Sequence, residues 1–258
     1  MSRPNSERRK PIAERGGSRA ANERGGSRAA NKRGGSPDPP RDSVRARGGS
    51  GDPPRTIPDR TLIVGIAGAS GAVYGVRLVE CAVRAGRQVH LIVTAAGRAV
   101  LEDEMGIRDS SAGPDLAGLW PREVLARVAY SPAEDLRAPP ASGSFGAEAM
   151  AIVPCSMNTV AALAHGLSAN LLQRAAYVAL KEGRPLVVVP REMPLTQIDF
   201  ENMARLAAAG AVVMPAMPAF YHRPKRVADL VDFVVAKVLN RLGIEHKLDV
   251  QWPGCKPR

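Results

Sequence analysis

Five short apolar runs, each rich in β-branched residues and closed by glycine, proline or a small polar residue, constrain this chain most. They are Thr61–Ala67 (TLIVGIA), Gln88–Thr94 (QVHLIVT), Ala149–Pro154 (AMAIVP), Pro185–Pro190 (PLVVVP) and Ala211–Pro215 (AVVMP). Runs this short are strand-sized, and their near-continuous apolarity means that both faces of the sheet they form are covered. Between them lie segments with helical periodicity at roughly 71–85, 96–105, 158–164, 169–182 and 197–209, and a last one at 225–242. Strands separated by helix-length connections form parallel pairs with crossover helices, so the spacing predicts a doubly wound α/β sheet. The last helix carries Val227, Leu230, Val231, Val234, Val235, Val238, Leu239 and Leu242 in one apolar stripe that should pack on that sheet. The segment 106–148, with Pro132, Pro139 and Pro140, lacks a clear period and is expected to be a helix followed by an irregular, ligand-facing loop.

The first sixty residues differ in kind. ERGGSRAAN occupies 14–22 and again 23–31, followed by KRGGSPDPP and a later RGGS at 47–50. The repeat contains no Leu, Ile, Val or aromatic residue, so it cannot offset the entropy of ordering, and residues 1–58 are expected to form a disordered extension. Residues 59–252 then form the single folded domain and 253–258 a short C-terminal tail. Of the formal charge of +11, residues 1–60 contribute +8, leaving the remainder at only +3. The total charge is thus a poor argument for a nucleic-acid partner, and the tail lacks the aromatics that interleave with arginine in RNA-binding runs. Cys81, Cys155 and Cys255 form no CxxC pair, which suits a reducing compartment. With no apolar run of membrane-spanning length and no apolar leader segment, a cytoplasmic protein with no membrane partner is expected.

A doubly wound sheet binds its ligands beyond the carboxyl ends of the strands, near the point where strand order reverses. Polar chemistry follows four of the runs: Gly68-Ala69-Ser70-Gly71, then Thr94, then Ser156-Met157-Asn158-Thr159, then Arg191-Glu192. Glycines admit a ligand close to the backbone, and the amides opening a helix at Gly71 suit an anion. Arg174 and Lys181 lie seven apart and share one helix face, which without further information reads as a solvated side. Glu192, beside Arg191 after a buried run, calls for a partner or a task. Glu104, at the end of Glu102-Asp103-Glu104, reads by position as solvent-facing. His90, His165, His222 and His246 are scattered, and the strand ends lack the clustered carboxylates of a metal site.

The segments GIAGASGAVYGVRLVE (65–80), PPASGS (139–144), PCSMNT (154–159), NLLQRAAYVALKEGRPLVVVPREMPL (170–195) and GAVVMPAMPAFYHRPK (210–225) together resemble the UbiX-type flavin prenyltransferase family, over about residues 61–252. The resemblance implies a Rossmann-like (flavodoxin-like) flavoprotein fold and a homododecamer. It also implies transfer of a dimethylallyl group from dimethylallyl monophosphate to N5 and C6 of reduced FMN, giving the prenylated flavin that UbiD-type decarboxylases use. Carried over residue by residue, FMN binding falls on Gly68, Ala69, Ser70, Thr94 (Ser in many members), Ser156, Met157, Asn158, Thr159 and Arg191. The prenyl phosphate falls on Ser142 or Ser144, Arg174, Lys181, Tyr221 and Lys237. The proposed catalytic residues are Ser70, Glu104 and Glu192. Lys237 stands where relatives carry Arg, keeping the charge without the bidentate fork, and Tyr177 stands where relatives tend to have Asp. Two alternatives share the fold: a flavin-dependent cysteine decarboxylase and a non-catalytic FMN-binding decarboxylase subunit. The first requires a His after the second strand and a PxMNxxM loop, both missing here, and the second would have lost Arg174, Lys181, Glu192 and Tyr221.

Overall fold

The computed structural model describes residues 60–110 and 113–248, all within the unit Pro53–Arg258. The sequence expectations for 1–58 and 253–258 lie outside the described residues. Strand β1 (Thr61–Ile66) leads into helix α1 (Ala72–Arg84), β2 (Gln88–Val93) and α2 (Ala95–Met105). A short antiparallel pair, β3 (Asp109–Ser110) and β4 (Gly113–Pro114), precedes α3 (Arg122–Leu125) and β5 (Val128–Pro132). Then come β6 (Ala149–Cys155), α4 (Met157–Ala164), α5 (Leu171–Lys181), β7 (Leu186–Pro190), α6 (Gln197–Ala208), β8 (Val212–Val213) and α7 (Val227–Arg241).

Six strands form one sheet in the order β5-β2-β1-β6-β7-β8, and every neighbouring pair is parallel. Numbered by chain position these strands run 3-2-1-4-5-6, so the order reverses between β1 and β6, where a doubly wound sheet opens its ligand crevice. The expected Rossmann-like sheet is present. Alternation along β1 divides the interior in two. Leu62, Val64 and Ile66 join a core with α1 and α7, including Leu78, Val79, Val235 and Leu239. Ile63 and Ala67 join a second core on the other face with α4 and α5, including Val160, Leu171, Leu172 and Ala176.

Close approach of α1 to the sheet depends on Gly75, where an added Cβ would lie 2.2 Å from the carbonyl oxygen of Val153 and 2.9 Å from Cγ1 of Ile66. Arg77 fixes the outer side of the same helix, its Nε 2.7 Å from Asp232 Oδ1 of α7. Helix starts follow local chemistry. Asn170 caps α5 through Gln173 N–H, and Thr196 forms a capping box with Asp199 at α6.

The structure corrects the reading of 106–148. The expected helix is the short α3 and the expected irregular loop is the run of turns over 133–148, but the segment also holds the β3–β4 pair and a sheet strand, β5. Strand β5 lies at the sheet edge and is only partly covered, so VAYSP lacks the apolar run that marked the central strands. Trp120 anchors the segment, buried with its Nε1–H donating to Val76 O at 3.1 Å. The stripe on the last helix also begins later than expected: Val227 is 75% exposed, whereas Val231, Val234, Val235, Val238 and Leu239 are buried. Among the described residues no helix is long and apolar enough to cross a membrane.

Candidate active site

The reversal point gathers four strand ends. The amide of Ala67 donates to Pro154 O at 3.1 Å, Thr94 N to Ile66 O at 3.1 Å, and Arg191 N to Cys155 O at 3.2 Å, so the ends of β1, β2, β6 and β7 are stitched together. Gly68 lies against the opening of α2, where a Cβ would fall 2.3 Å from that of Ala96. Only a residue without a side chain lets this turn sit so low. Thr94 caps α2 by accepting from Gly97 N–H at 3.0 Å, and Ser156 caps α4 by accepting from Thr159 N–H at 3.3 Å. The Ser156 and Thr159 hydroxyls are 3.1 Å apart. Ala69 and Thr159 are buried, Gly68, Thr94, Ser156 and Met157 half-buried, and Ser70 and Asn158 exposed. The rim therefore offers backbone and hydroxyl groups at a concave strand end.

Arg191 crosses this rim. Its Nε donates to Ser70 O at 3.0 Å, while its Nη groups have no partner among the described residues. Glu192, next in sequence, is exposed, and its Oε1 accepts from Met193 N–H at 3.0 Å within its own loop. Glu104 is not simply solvent-facing. From the last turn of α2 it reaches the first turn of α1, where Gly71 N–H is 3.0 and 2.9 Å from its two oxygens and Ala72 N–H is 3.0 Å from Oε2. The anion site read at Gly71 is thus filled by the chain's own carboxylate, which satisfies two donors at a positive helix end.

The residues assigned to the prenyl phosphate divide into two groups. Ser142 and Ser144 have their hydroxyls 2.8 Å apart, and Arg174 on α5 binds the same loop through Nε to Ala141 O at 3.3 Å. Lys181 ends α5 with its Nζ 3.3 Å from Glu182 Oε1. Helix α5 belongs to the core of Ile63 and Leu171. Tyr221 and Lys237, by contrast, lie with α7 on the opposite face. Tyr221 packs edge-on to Phe233 at 5.7 Å, and Lys237 Nζ stands 5.4 Å from the same ring. One copy of the chain does not bring Arg174 and Lys181 together with Tyr221 and Lys237 on one face.

Sequence reasoning gave several groups no task at the site. His222 stacks on Phe233 at 5.3 Å, with both ring nitrogens buried and lacking a hydrogen-bond partner among the described residues. Arg137 and Ser168 line an open cleft of about 440 Å³ together with Ser142 and Arg174. Neither lies in a periodic element, so no pattern marked them. The remaining histidines are structural: His90 is 3.0 Å from Ser131 Oγ, His165 3.2 Å from Asn202, and His246 3.2 Å from Asn240. Burial holds the His90 imidazole below its ordinary pKa, and burial pushes the Cys155 thiol far up, which keeps it protonated and inert.

A family profile described as Flavoprotein matches residues 50–239. The flavin prenyltransferase UbiX of Halalkalibacterium halodurans is 48% identical over 189 residues, which cover 73% of this chain and 91% of the relative. That of Pseudomonas aeruginosa is 45% identical over 199 residues, covering 76% and 94%. The solved structure of AnUbiX (PadA1) in complex with FMN and dimethylallyl pyrophosphate matches with a TM-score of 0.68 at 34% identity, covering 76% of this chain and 99% of its own. A dodecameric FMN-dependent UbiX-like decarboxylase from Escherichia coli O157:H7 matches at 0.66 and 40% identity, covering 75% and 100%.

Proposed function

Because the chain belongs to the UbiX flavin prenyltransferase family, we propose that it transfers a dimethylallyl group from dimethylallyl monophosphate to reduced FMN, and that a UbiD-type decarboxylase takes up the prenylated product. The observation that carries this reading is the meeting of Ser70, Thr94, Ser156 and Arg191 at the reversal point of the sheet. That donor set fits FMN. Amides and hydroxyls suit a phosphate and ribityl chain, the low turn at Gly68 admits a flat ring, and the uncommitted Nη groups of Arg191 suit an electron-rich one.

Reduced FMN supplies the nucleophilic N5 and, for ring closure, C6. The protein's part is to make phosphate leave and to manage protons. Arg174, Lys181, Lys237 and the Tyr221 hydroxyl meet the charge that grows on phosphate as the allylic C–O bond breaks. Ser70 and Glu192 relay the proton that phosphate takes from N5. Ring closure adds one proton to the alkene and removes one from C6, and Glu104, held at the mouth of the Gly68–Gly71 turn, accepts the latter.

Assembly belongs to the same proposal. Since α5 and α7 occupy opposite faces, complete sites form where the α5 face of one copy meets the α7 face of another, within a homododecamer. We place this activity in the cytoplasm, in the service of ubiquinone synthesis or aromatic acid breakdown. The test is anaerobic incubation with reduced FMN and dimethylallyl monophosphate, followed by mass spectrometry of the flavin. A product one prenyl unit heavier is expected, and unaltered FMN refutes the activity.

A further inference from the structure

The Ser142-Gly143-Ser144 tip lies where two short turns meet, Pro139–Ala141 and Gly143–Phe145. Apolar contact holds its flanks: Pro140 is buried, and Phe145 packs edge-on to the His90 ring at 5.4 Å. Both serines are exposed, so burial does not fix the tip itself. Two guanidinium groups do. Arg174 Nε donates to Ala141 O at 3.3 Å, and Arg184 Nη2 donates to Gly143 O, the carbonyl that leads into Ser144. Arg184 reaches the tip from a firm base, two residues before β7, with its own N–H donating to Ala179 O at 2.8 Å. Other packed arginines are neutralised, Arg77 by Asp232 and Glu80 and Arg87 by Glu148, whereas Arg184 has no ion pair among the described residues. Its charge therefore strengthens the bond to Gly143 O. Glu182 also touches the tip: a Cβ on Gly143 would lie 2.5 Å from Glu182 Oε1, the oxygen that stands 3.3 Å from Lys181 Nζ.

We propose that Arg184 is a positioning residue for the prenyl phosphate: by gripping Gly143 O it sets the Ser142 and Ser144 hydroxyls, which lie 2.8 Å apart, at the edge of the cleft that Ser142 and Arg174 line. Arg184 is not among the residues lining that cleft, so it acts through the tip and not on the ligand. Two hydroxyls this close spend one O–H on each other and keep one to donate outward. The direction of that free donor depends on the backbone at Gly143, which has the least steric restraint of the three residues. A grip on its carbonyl removes that freedom before a ligand arrives, so binding does not have to supply the ordering. This rests on the proposed activity, with the prenyl phosphate held at Ser142 or Ser144.

Calorimetry with inorganic phosphate on the full chain reads this role without turnover. Arg184→Ala is expected to weaken phosphate binding about tenfold, the worth of one charged hydrogen bond. Arg184→Lys, which keeps the charge and one donor, loses less. In a Ser142→Ala, Ser144→Ala background neither change at Arg184 costs anything further, because residues that act as one unit are not additive. In anaerobic turnover Arg184→Ala raises KM for dimethylallyl monophosphate about tenfold with kcat and FMN retention unchanged, the pattern of lost uniform binding. A fall in Tm alone, with phosphate affinity and KM intact, overturns the positioning role. So does a loss of phosphate affinity that persists in the double-serine background for either variant. Failure of wild type to convert dimethylallyl monophosphate overturns the activity instead, and the phosphate titrations still decide the role of Arg184.

Discussion

Glu104 has two tasks that one pair of substitutions separates. Its carboxylate accepts from Gly71 and Ala72 N–H at 2.9 to 3.0 Å, so removing it leaves two donors at the start of α1 without a protein acceptor. A lost helix cap costs about 1 kcal/mol, and loss of a negative charge at a helix start adds about 0.3–1 kcal/mol. Because Glu104 is exposed, water takes up part of this, so Glu104→Ala is expected to cost about 1–1.5 kcal/mol. For a domain of this size that lowers Tm by about 2–6 °C. Glu104→Gln keeps an amide oxygen that accepts from one of the two donors, so its loss is about half as large. As acceptor of the C6 proton, however, an amide is useless, and Glu104→Gln is expected to abolish formation of the prenylated flavin while the protein still binds FMN. Thermal unfolding followed by circular dichroism gives the first quantity, and mass spectrometry of the flavin after anaerobic turnover gives the second. A Glu104→Ala protein with wild-type Tm refutes the cap; wild-type product yield from Glu104→Gln refutes the proton role.

Four other perturbations test separate parts of the account. Gly75→Ala drives a Cβ to 2.2 Å from Val153 O, and the overpacking cost of about 1–3 kcal/mol exceeds the helix-propensity gain of about 1 kcal/mol, so a lower urea midpoint is expected. Lys181→Ala should raise KM for dimethylallyl monophosphate about tenfold or more with FMN retention unchanged; a loss confined to FMN retention would reassign the residue. Burial holds His90 below its ordinary value near 6.5, so the unfolded chain binds the extra proton first; stability should fall as pH drops through 6.5, and in His90→Asn that part of the slope should vanish from urea titrations. Phe220→Asp, at a side chain 69% exposed, should lower both the oligomer mass measured by light scattering and the activity; a fully assembled variant would count against assembly through this loop.

How much was legible in the sequence follows from how each element is stabilised. The central strands β1, β2, β6 and β7 are covered on both faces, so TLIVGIA, QVHLIVT, AMAIVP and PLVVVP carry their burial in their composition. The edge strand β5 has water on one side, and its VAYSP gave no such run. Polar groups at the strand ends were legible because topology, not side-chain geometry, decides where they gather, and Gly68, Thr94, Ser156 and Arg191 do meet there. Contacts across long separations were not legible. Nothing in Glu102-Asp103-Glu104 shows that the third acid reaches back 33 residues to Gly71, and Arg184 gains its meaning only from a carbonyl 41 residues earlier.

The division of the cationic residues between two faces has an energetic counterpart at the carboxyl end of the strands, where Arg191 meets Ser70. Met193, Ile198 and Phe200 follow β7, and Met217 and Phe220 follow β8; their exposures run from 57% to 85%. Single exposed apolar residues are ordinary, but five large ones on the two segments that leave neighbouring strand ends mark a surface that gains by being covered. Covering it with another copy excludes water from the strand ends where Arg191 and Ser70 lie. In that drier setting the charges on Arg174, Lys181 and Lys237 act on a leaving phosphate more strongly than exposed side chains do in water. In the assembly proposed above, catalysis and association would draw on the same loops, with the apolar surface at the strand ends covered by a neighbouring copy.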